Sequence, residues 1–272
     1  MTEGNSGIDP VTIIGLGLIL LPVLTMWHEI GGHAATCVAL GGKLVAIGAF
    51  YVDCESASLV SRRLVACAGV TVDTVLALIA WQLWRRATGD MARLVLFYVM
   101  IGKGFVAAGY FLFSGFSGVG DLGPTPGGGF IGLSYPWAWR AAFVAIGGFV
   151  YFRLVSAAIL ALNAMLGDTI DTAPARRRIA HLFYLTLGLD AVLVGLLNPI
   201  GIFITIMSAA ASSFGGNAGF ISMGYAVPRG STARSFTIPR SWIIFVIGII
   251  VSLGFALILG PTINFSPAHP AG

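Results

Sequence analysis

Long apolar stretches separated by short polar breaks dominate the pattern along this chain. A helix that crosses a membrane needs about 20 predominantly apolar residues, and the pattern predicts six or seven such helices. They fall at about 11–40, 64–84, 94–113, 137–165 and 243–259, with two short spans or a hairpin within 181–213. The last stretch is divided because Asn198-Pro199 interrupts it, and the residue before a proline disfavours helical geometry.

Two of the breaks have a character of their own. The sequence KLVAIGAFYV at 43–52 is rich in β-branched and aromatic residues, which predicts a short strand or hairpin after the first helix. The glycine-rich stretch at 114–130 cannot form one continuous helix. The predicted fold class is therefore an all-α integral membrane protein. It is a polytopic bundle of six to seven transmembrane helices, in a single transmembrane domain over 1–272, with a short strand-like segment after the first helix.

The composition agrees with a membrane protein and excludes other classes. Hydrophobic residues make up 57% of the chain and charged residues only 10%, with a mean hydropathy of +0.92, whereas soluble domains carry about 25% charged residues. The net charge of +4 comes without a basic cluster interleaved with aromatics, so we expect a lipid bilayer and no nucleic acid as partner. Cys37, Cys54 and Cys67 are odd in number and lack a CxxC spacing, so we predict unpaired apolar residues.

Basic residues near the span ends predict the orientation. The first ten residues lack the positive charge of a signal peptide, so the first apolar segment is expected to remain as a span. An N-terminus on the inner side places nine basic residues inside and four outside, as the positive-inside rule favours. The nine are Arg85, Arg86, Arg93, Arg176, Arg177, Arg178, Arg229, Arg234 and Arg240, and the four are Lys43, Arg62, Arg63 and Arg140. If 181–213 is re-entrant, the last helix runs the other way.

Two histidines and a glutamate lie within six residues in the first apolar segment. Ionisable groups in a membrane segment are costly and by default indicate function. His28 and His33 are of the residue type that binds zinc most readily, and Glu29 can take a proton from water held by the ion. A polar patch where the chain leaves the membrane is the structural alternative.

The five-residue separation of the histidines conflicts with a regular helix. Residues five apart are turned by about 500°, which leaves the two rings roughly 140° apart. A single π-bulge at Gly31-Gly32 would bring His28 and His33 together, because glycine tolerates unusual backbone angles. Alternatively, Glu29 and His33, four residues apart, form the ligand pair. We favour the bulge.

A zinc site with an open position needs a third protein ligand. The best candidate is Asp121 in FSGFSGVGDLG, because glycines let the backbone pass close to a metal and irregular backbone is tolerated where it lines a cavity. A turn aspartate in an exposed loop is the structural alternative. Asp73 is a candidate hydrogen-bond partner of a ligand. Lys103 and Arg153 are expected to pair with Asp73 or Asp190, or to extend to the membrane interface.

Three stretches together resemble a known family. HEIGGHAATCVALGGKL, RRLVACAGVTVDTVLALIAW and YFLFSGFSGVGDLG, covering about 25–123, are similar to the site-2 protease family of intramembrane zinc metalloproteases, especially its small bacterial branch. The chain departs from that family in having three residues between the histidines, and Val70 where the family has proline. The longer spacing resembles that of the zinc helix of an unrelated soluble family, dipeptidyl peptidase III.

The resemblance implies roles for individual residues. His28, His33 and Asp121 would hold Zn²⁺, and Glu29 would be the catalytic base of an endopeptidase that cleaves a transmembrane protein substrate. A metalloprotease-like core would cover about 11–123 and a C-terminal helical part about 137–261, in a bacterial inner (plasma) membrane. The alternative is an inactive scaffold or helix-binding protein of the same fold with structural zinc. A transporter with Lys103, Asp73 and Asp190 as a relay is less favoured, because no internal repeat is seen.

Overall fold

The computed structural model describes residues 7–226, 230–232 and 234–265, which form a helical bundle with a small sheet at one end. Arg229, one of the nine basic residues used for the orientation, lies outside these ranges, as do six of the first ten residues. Within the described ranges the α-helices are α1 Pro10–Met26, α2 Ala35–Ala39, α3 Leu59–Trp84, α4 Asp90–Ser117, α5 Pro136–Leu166, α6 Ala173–Arg177, α7 Phe183–Gly195, α8 Ile202–Ile204, α9 Gly219–Tyr225 and α10 Trp242–Leu259. Three π-helical segments, Trp27–Ala34, Arg178–Leu182 and Thr205–Gly215, and a 3₁₀ turn, Ile170–Thr172, connect some of them.

Six continuous helices in the described chain are long and apolar enough to cross a membrane. They are Pro10–Ala39, Leu59–Trp84, Asp90–Ser117, Pro136–Leu166, Ile170–Gly195 and Trp242–Leu259. Their outward faces carry large apolar side chains, as contact with lipid requires: Ile243 is 74% exposed and Leu257 72% exposed. Six full-length spans agree with the lower end of the predicted range of six to seven transmembrane helices.

The fifth span begins earlier than the sequence pattern indicates. It starts at Ile170 and not near residue 181, so it includes the basic run around Arg176. The guanidinium of Arg176 is fully buried and donates hydrogen bonds to Thr172 Oγ1, Asn163 Oδ1 and the Gly167 carbonyl. Because these partners satisfy the hydrogen-bond donors of the guanidinium inside the protein, the helix can include this polar run. Between Asn198 and Tyr225 the chain continues in the short pieces α8, Thr205–Gly215 and α9, none of which is a full-length span.

Side-chain caps begin three of the spans. Asp9 accepts hydrogen bonds from the backbone amides of Val11 and Thr12 at the start of α1. Ser58 caps α3 and Ser241 caps α10 in the same way, each accepting a backbone amide three residues later. These caps satisfy amides that a helix leaves free in its first turn, which explains why the helices begin at these positions.

The predicted strand segment forms a hairpin. β1 Lys43–Gly48 pairs antiparallel with β2 Tyr51–Glu55, from Lys43 opposite Glu55 to Gly48 opposite Tyr51. A third strand, β3 Ile263–Asn264, pairs with the other side of β1 and was not predicted. The order is β2-β1-β3, so β2 is an edge strand with one unpaired side.

Contacts at the two ends of the bundle define the direction of the last helix. Ile8, before α1, pairs with Ile238, before α10. At the opposite end, Ala46 of β1 pairs with Asn264 of β3. Helices α1 and α10 therefore run parallel, and the chain must return between them. It does so through α8, Thr205–Gly215 and α9, which means that the last helix is not flipped.

The cysteine prediction was wrong. Cys37 and Cys54 form a disulfide, with their Cα atoms 6.2 Å apart, and Cys67 alone is free. The pairing is invisible in the sequence because it depends on the hairpin folding back over the end of α2. The bond joins the helix that carries the His-Glu motif to the edge strand β2.

The two predicted parts of the chain share one hydrophobic core. Leu16 and Leu20 of α1 belong to the same buried cluster as Phe183 of α7 and Phe255 of α10. α1 packs along both of those later helices. The bundle therefore surrounds the motif helix on several sides, which buries the polar residues described next.

Candidate metal centre

The His-Glu motif lies in a π-helical segment. Trp27–Ala34 has π-helical geometry, between α1 and α2 of one continuous span. A π-turn contains about one residue more than an α-turn, so residues five apart come onto the same face. The predicted bulge is confirmed, and both histidine rings are buried on that face.

The glycines of the motif act by size and not by unusual backbone angles. Neither Gly31 nor Gly32 has a positive φ. Instead, a Cβ atom on Gly32 would lie 2.8 Å from the Cα atom of Gly69 in α3. A Cβ atom on Gly69 would overlap the His28 ring and lie 2.6 Å from His33 Nε2. Glycine at positions 32 and 69 therefore lets α3 approach the motif and leaves space for the two imidazoles.

Three potential ligand atoms converge at this place. His28 Nε2 lies 3.1 Å from His33 Nε2 and 3.1 Å from Asp121 Oδ2, and His33 Nε2 lies 3.3 Å from the same oxygen. Among the described residues, these three bring potential ligand atoms within 4.8 Å of one another, as a metal site requires. Glu29 is not in the group, so the alternative pairing of Glu29 with His33 is not what the fold contains.

The spacing of the three atoms fits a small ion. Ligands about 2.0–2.1 Å from a tetrahedral zinc ion lie about 3.3 Å from one another, close to the observed separations. The donor set of two imidazoles and one carboxylate also matches known zinc chemistry. The structure thus contains a candidate metal site, and its geometry leaves the choice of metal open.

Hydrogen bonds on the far side of each ring orient the histidines. His28 Nδ1 lies 2.9 Å from Asp73 Oδ2, and His33 Nδ1 lies 2.7 Å from the Val65 carbonyl oxygen. Both acceptors require a proton on Nδ1, so in the neutral rings both Nε2 atoms carry lone pairs directed at Asp121. Three electron-rich atoms this close repel each other unless a proton or a metal ion lies between them, and a metal ion bound by all three is the arrangement expected of a metal site.

Asp73 and Lys103 form a buried ion pair behind His28. Lys103 Nζ lies 2.6 Å from Asp73 Oδ1, while Asp73 Oδ2 is the atom that accepts from His28. Asp73 is completely buried and Lys103 is only 5% exposed. The structure contains the predicted contact of Asp73 with Lys103, and it pairs Asp73 with His28, one of the candidate ligands. Arg153 is exposed on α5, and Asp190 instead accepts a hydrogen bond from Ser252 Oγ.

The loop that carries Asp121 is built on glycines with left-handed backbone. Gly118 ends α4 with φ of 77° and Gly120 has φ of 86°, a region that favours glycine. Arg63 of α3 donates from two guanidinium nitrogens to the Ile131 carbonyl and so ties this loop to α3. Burial alone would raise the pKa of the Asp121 carboxyl, but protonated His33 and His28 rings beside it would hold that pKa below its usual range.

A cavity of about 380 Å³ borders the metal centre. Glu29, His33 and Asp121 line it, and so do residues of the edge strand β2, including Tyr51 and Asp53. The lining also includes Met207 and four small residues of the returning segment: Ser208, Ala211, Ser212 and Gly216. Glu29 is buried, and its Oε2 atom has no hydrogen-bond partner among the described residues. A buried carboxylate oxygen in this state is available to a ligand in the cavity.

Several residues of the site have no local signal in the sequence for their role. Gly69 borders both rings. Tyr110 stacks on the His28 ring at 5.1 Å between centroids. The Val65 carbonyl orients His33. A backbone carbonyl and a stacking tyrosine become visible only when α3 and α4 pack against the motif.

Comparisons with known proteins identify no relative of this chain. No protein-family profile matches it, and neither a curated protein nor a solved structure shows significant similarity to it.

Proposed function

We propose that this protein is a zinc-dependent intramembrane endopeptidase that cleaves a transmembrane protein substrate. The observation that carries the proposal is the convergence of His28, His33 and Asp121 beside Glu29, which lines a cavity and whose buried Oε2 atom has no hydrogen-bond partner among the described residues. Three protein ligands leave one position open, which is typical of catalytic zinc sites, whereas structural sites use four.

The roles of the residues follow from this arrangement. A bound zinc ion lowers the pKa of water and polarises a substrate carbonyl. His28, His33 and Asp121 would hold the ion. Glu29 would accept a proton from a water molecule as the oxygen of that water attacks the peptide carbonyl carbon. Glu29 then gives that proton to the amide nitrogen as the C–N bond breaks, so that one new carboxyl and one new amine terminus form.

The cavity is suited to an extended peptide. Strand β2 has a free edge beside the ligands, and an extended segment can add to such an edge through backbone hydrogen bonds. A substrate helix must unwind to expose its peptide bonds, and the strand edge would compensate for the lost hydrogen bonds. The small lining residues Ser208, Ala211 and Ser212 leave room for side chains.

Two independent features support an orientation with the N-terminus in the cytoplasm. The basic residues favour it, and the Cys37–Cys54 disulfide supports it, because disulfides persist mainly on the oxidising side of a membrane. Because the site lies at the hairpin end of the bundle, the cavity would open toward the outer side. The resemblance to the bacterial branch of the site-2 protease family implies a bacterial inner membrane.

Metal analysis combined with a cleavage assay tests the proposal. Purified wild type and Glu29→Gln are expected to hold one zinc ion, and His33→Ala is expected to lose it. Only the wild type should cleave a transmembrane reporter, since a general base contributes about 10²- to 10⁴-fold in rate.

The outcomes separate the candidate functions. Wild type that purifies without zinc and does not bind it on addition would overturn the metal centre. Zinc in wild type and Glu29→Gln, with no cleavage across a panel of transmembrane reporters, would instead favour the scaffold with structural zinc.

A further inference from the structure

The buried charges around the metal centre do not balance without a basic residue. Glu29, Asp121 and Asp73 are three carboxylates within or beside the centre, all carried by buried or nearly buried side chains. A divalent ion compensates two of them. Uncompensated charge inside a membrane bundle is strongly unfavourable, so the third carboxylate requires a further cation.

Lys103 is the basic residue in contact with that third carboxylate. It lies on α4, the helix that leads into the Asp121 loop, and its ammonium group is 2.6 Å from Asp73 Oδ1. The two oxygens of Asp73 thus have separate partners. Oδ1 faces Lys103 and Oδ2 faces His28 Nδ1. A carboxylate held from both sides has one orientation, and it passes that orientation to the imidazole ring.

We infer that Lys103 is a positioning residue for the metal centre. It balances the charge of Asp73 and fixes that carboxylate so that it accepts from His28 Nδ1 and leaves His28 Nε2 directed at the ion. The series of contacts Lys103–Asp73–His28 extends the site across α3 and α4. It ends at Lys103, which would touch neither metal nor substrate. The inference rests on the proposed metal centre and goes beyond the peptidase assignment.

Zinc affinity, measured by competition with a chelator and without any substrate, tests whether Lys103 acts on the metal centre through Asp73 and His28. Lys103→Met is expected to bind zinc about 10- to 100-fold more weakly, the loss typical of residues that orient a ligand. The double variant Asp73→Asn, Lys103→Met removes both charges. Its amide oxygen can still accept from His28 Nδ1–H, so its affinity should return to within about tenfold of wild type.

A matched control and a second readout distinguish positioning from a general effect on folding. Arg153→Met removes an exposed cation from α5 and should leave zinc affinity unchanged. Thermal unfolding of each variant in detergent reports whether the bundle remains folded. Kinetics in excess zinc should show cleavage by Lys103→Met largely restored, because the defect is in binding the metal.

The results would separate the two proposals. Unchanged zinc affinity in folded Lys103→Met would overturn the inference, as would a double variant no better than the single one. Absence of zinc from the wild type would overturn both proposals. Stoichiometric zinc without cleavage would overturn the peptidase function, and the zinc affinities would still decide the role of Lys103.

Discussion

His28 and His33 are five residues apart on one span, yet their Nε2 atoms are 3.1 Å apart. The π-helical segment Trp27–Ala34 makes this possible by adding about one residue to the turn between them. The rings occupy the space left by the missing side chain of Gly69. The unusual spacing of the motif and the glycine on the neighbouring helix are therefore parts of one arrangement.

Gly69→Ala should disrupt that arrangement. The added methyl group would overlap the His28 ring, and overpacking of this kind costs about 1–3 kcal/mol. If the strain falls on the ligand geometry, zinc binding weakens by roughly 5- to 150-fold. Isothermal titration or chelator competition measures the zinc affinity of the variant. Gly254→Ala on α10, where a Cβ atom meets nothing within 4 Å, is the control, and equal zinc affinity in both variants would contradict the prediction.

Asp121 should be required for metal binding, whereas Asp53, which lines the same cavity, should not be required. Asp121→Ala removes one of three ligands, and we expect zinc affinity to fall by more than the roughly 100-fold loss seen when an outer partner is removed. Asp53→Ala removes a carboxylate that lines the same cavity but lies outside the ligand group. Its zinc stoichiometry should equal that of wild type. A comparable loss in both variants would mean that the cavity's overall charge, and not ligation by Asp121, holds the ion.

Zinc should stabilise the folded protein. An ion that binds only the native state at 100 times its Kd contributes about 2.7 kcal/mol, which raises the melting temperature by several degrees in a chain of this size. Thermal unfolding in detergent, with zinc and after chelation, measures the shift. His33→Ala should show no such shift. If it shifts as much as wild type, the stabilising zinc binds elsewhere.

The disulfide should support β2 more than it supports the metal ligands. Replacing both Cys37 and Cys54 by alanine opens a loop closed by residues 17 apart, and a loop of that length is worth about 3 kcal/mol of stability. We expect a lower melting temperature and reduced cleavage with zinc still bound, because β2 lines the cavity and contributes no ligand. Cys67→Ala, which removes the free thiol, is the control. Loss of zinc in the double variant would show that the disulfide holds the ligands themselves.

Labelling of single cysteines tests the orientation. In a Cys67→Ala background, which retains the disulfide, Ser134→Cys lies in the exposed loop that follows Asp121 and Thr88→Cys lies in the exposed turn between α3 and α4. A membrane-impermeant maleimide should label residue 134 in intact cells and residue 88 only after permeabilisation. The reverse pattern would place the N-terminus outside.

Much of the bundle follows from the sequence because its physical signals are local. Apolar length predicts spans, and the β-branched run at 43–52 predicts a hairpin. The histidine spacing predicts a π-bulge, since only an extra residue in the turn reconciles ligands five apart with one face of a helix. These features depend on neighbours within a few residues, and the structure contains them.

Other features depend on contacts between distant segments, and only the tertiary structure decides them. The Cys37–Cys54 bond requires the hairpin to fold back over α2, and the third strand requires residues 263–264 to reach β1. Helix α10 has its direction because both of its ends meet the corresponding ends of the first span. The sequence by itself determined which residues have the chemistry to bind a metal. Packing of α3 and α4 against the motif determined that His28, His33 and Asp121 meet, since a ligand set is a matter of distances between helices and not of spacing along one.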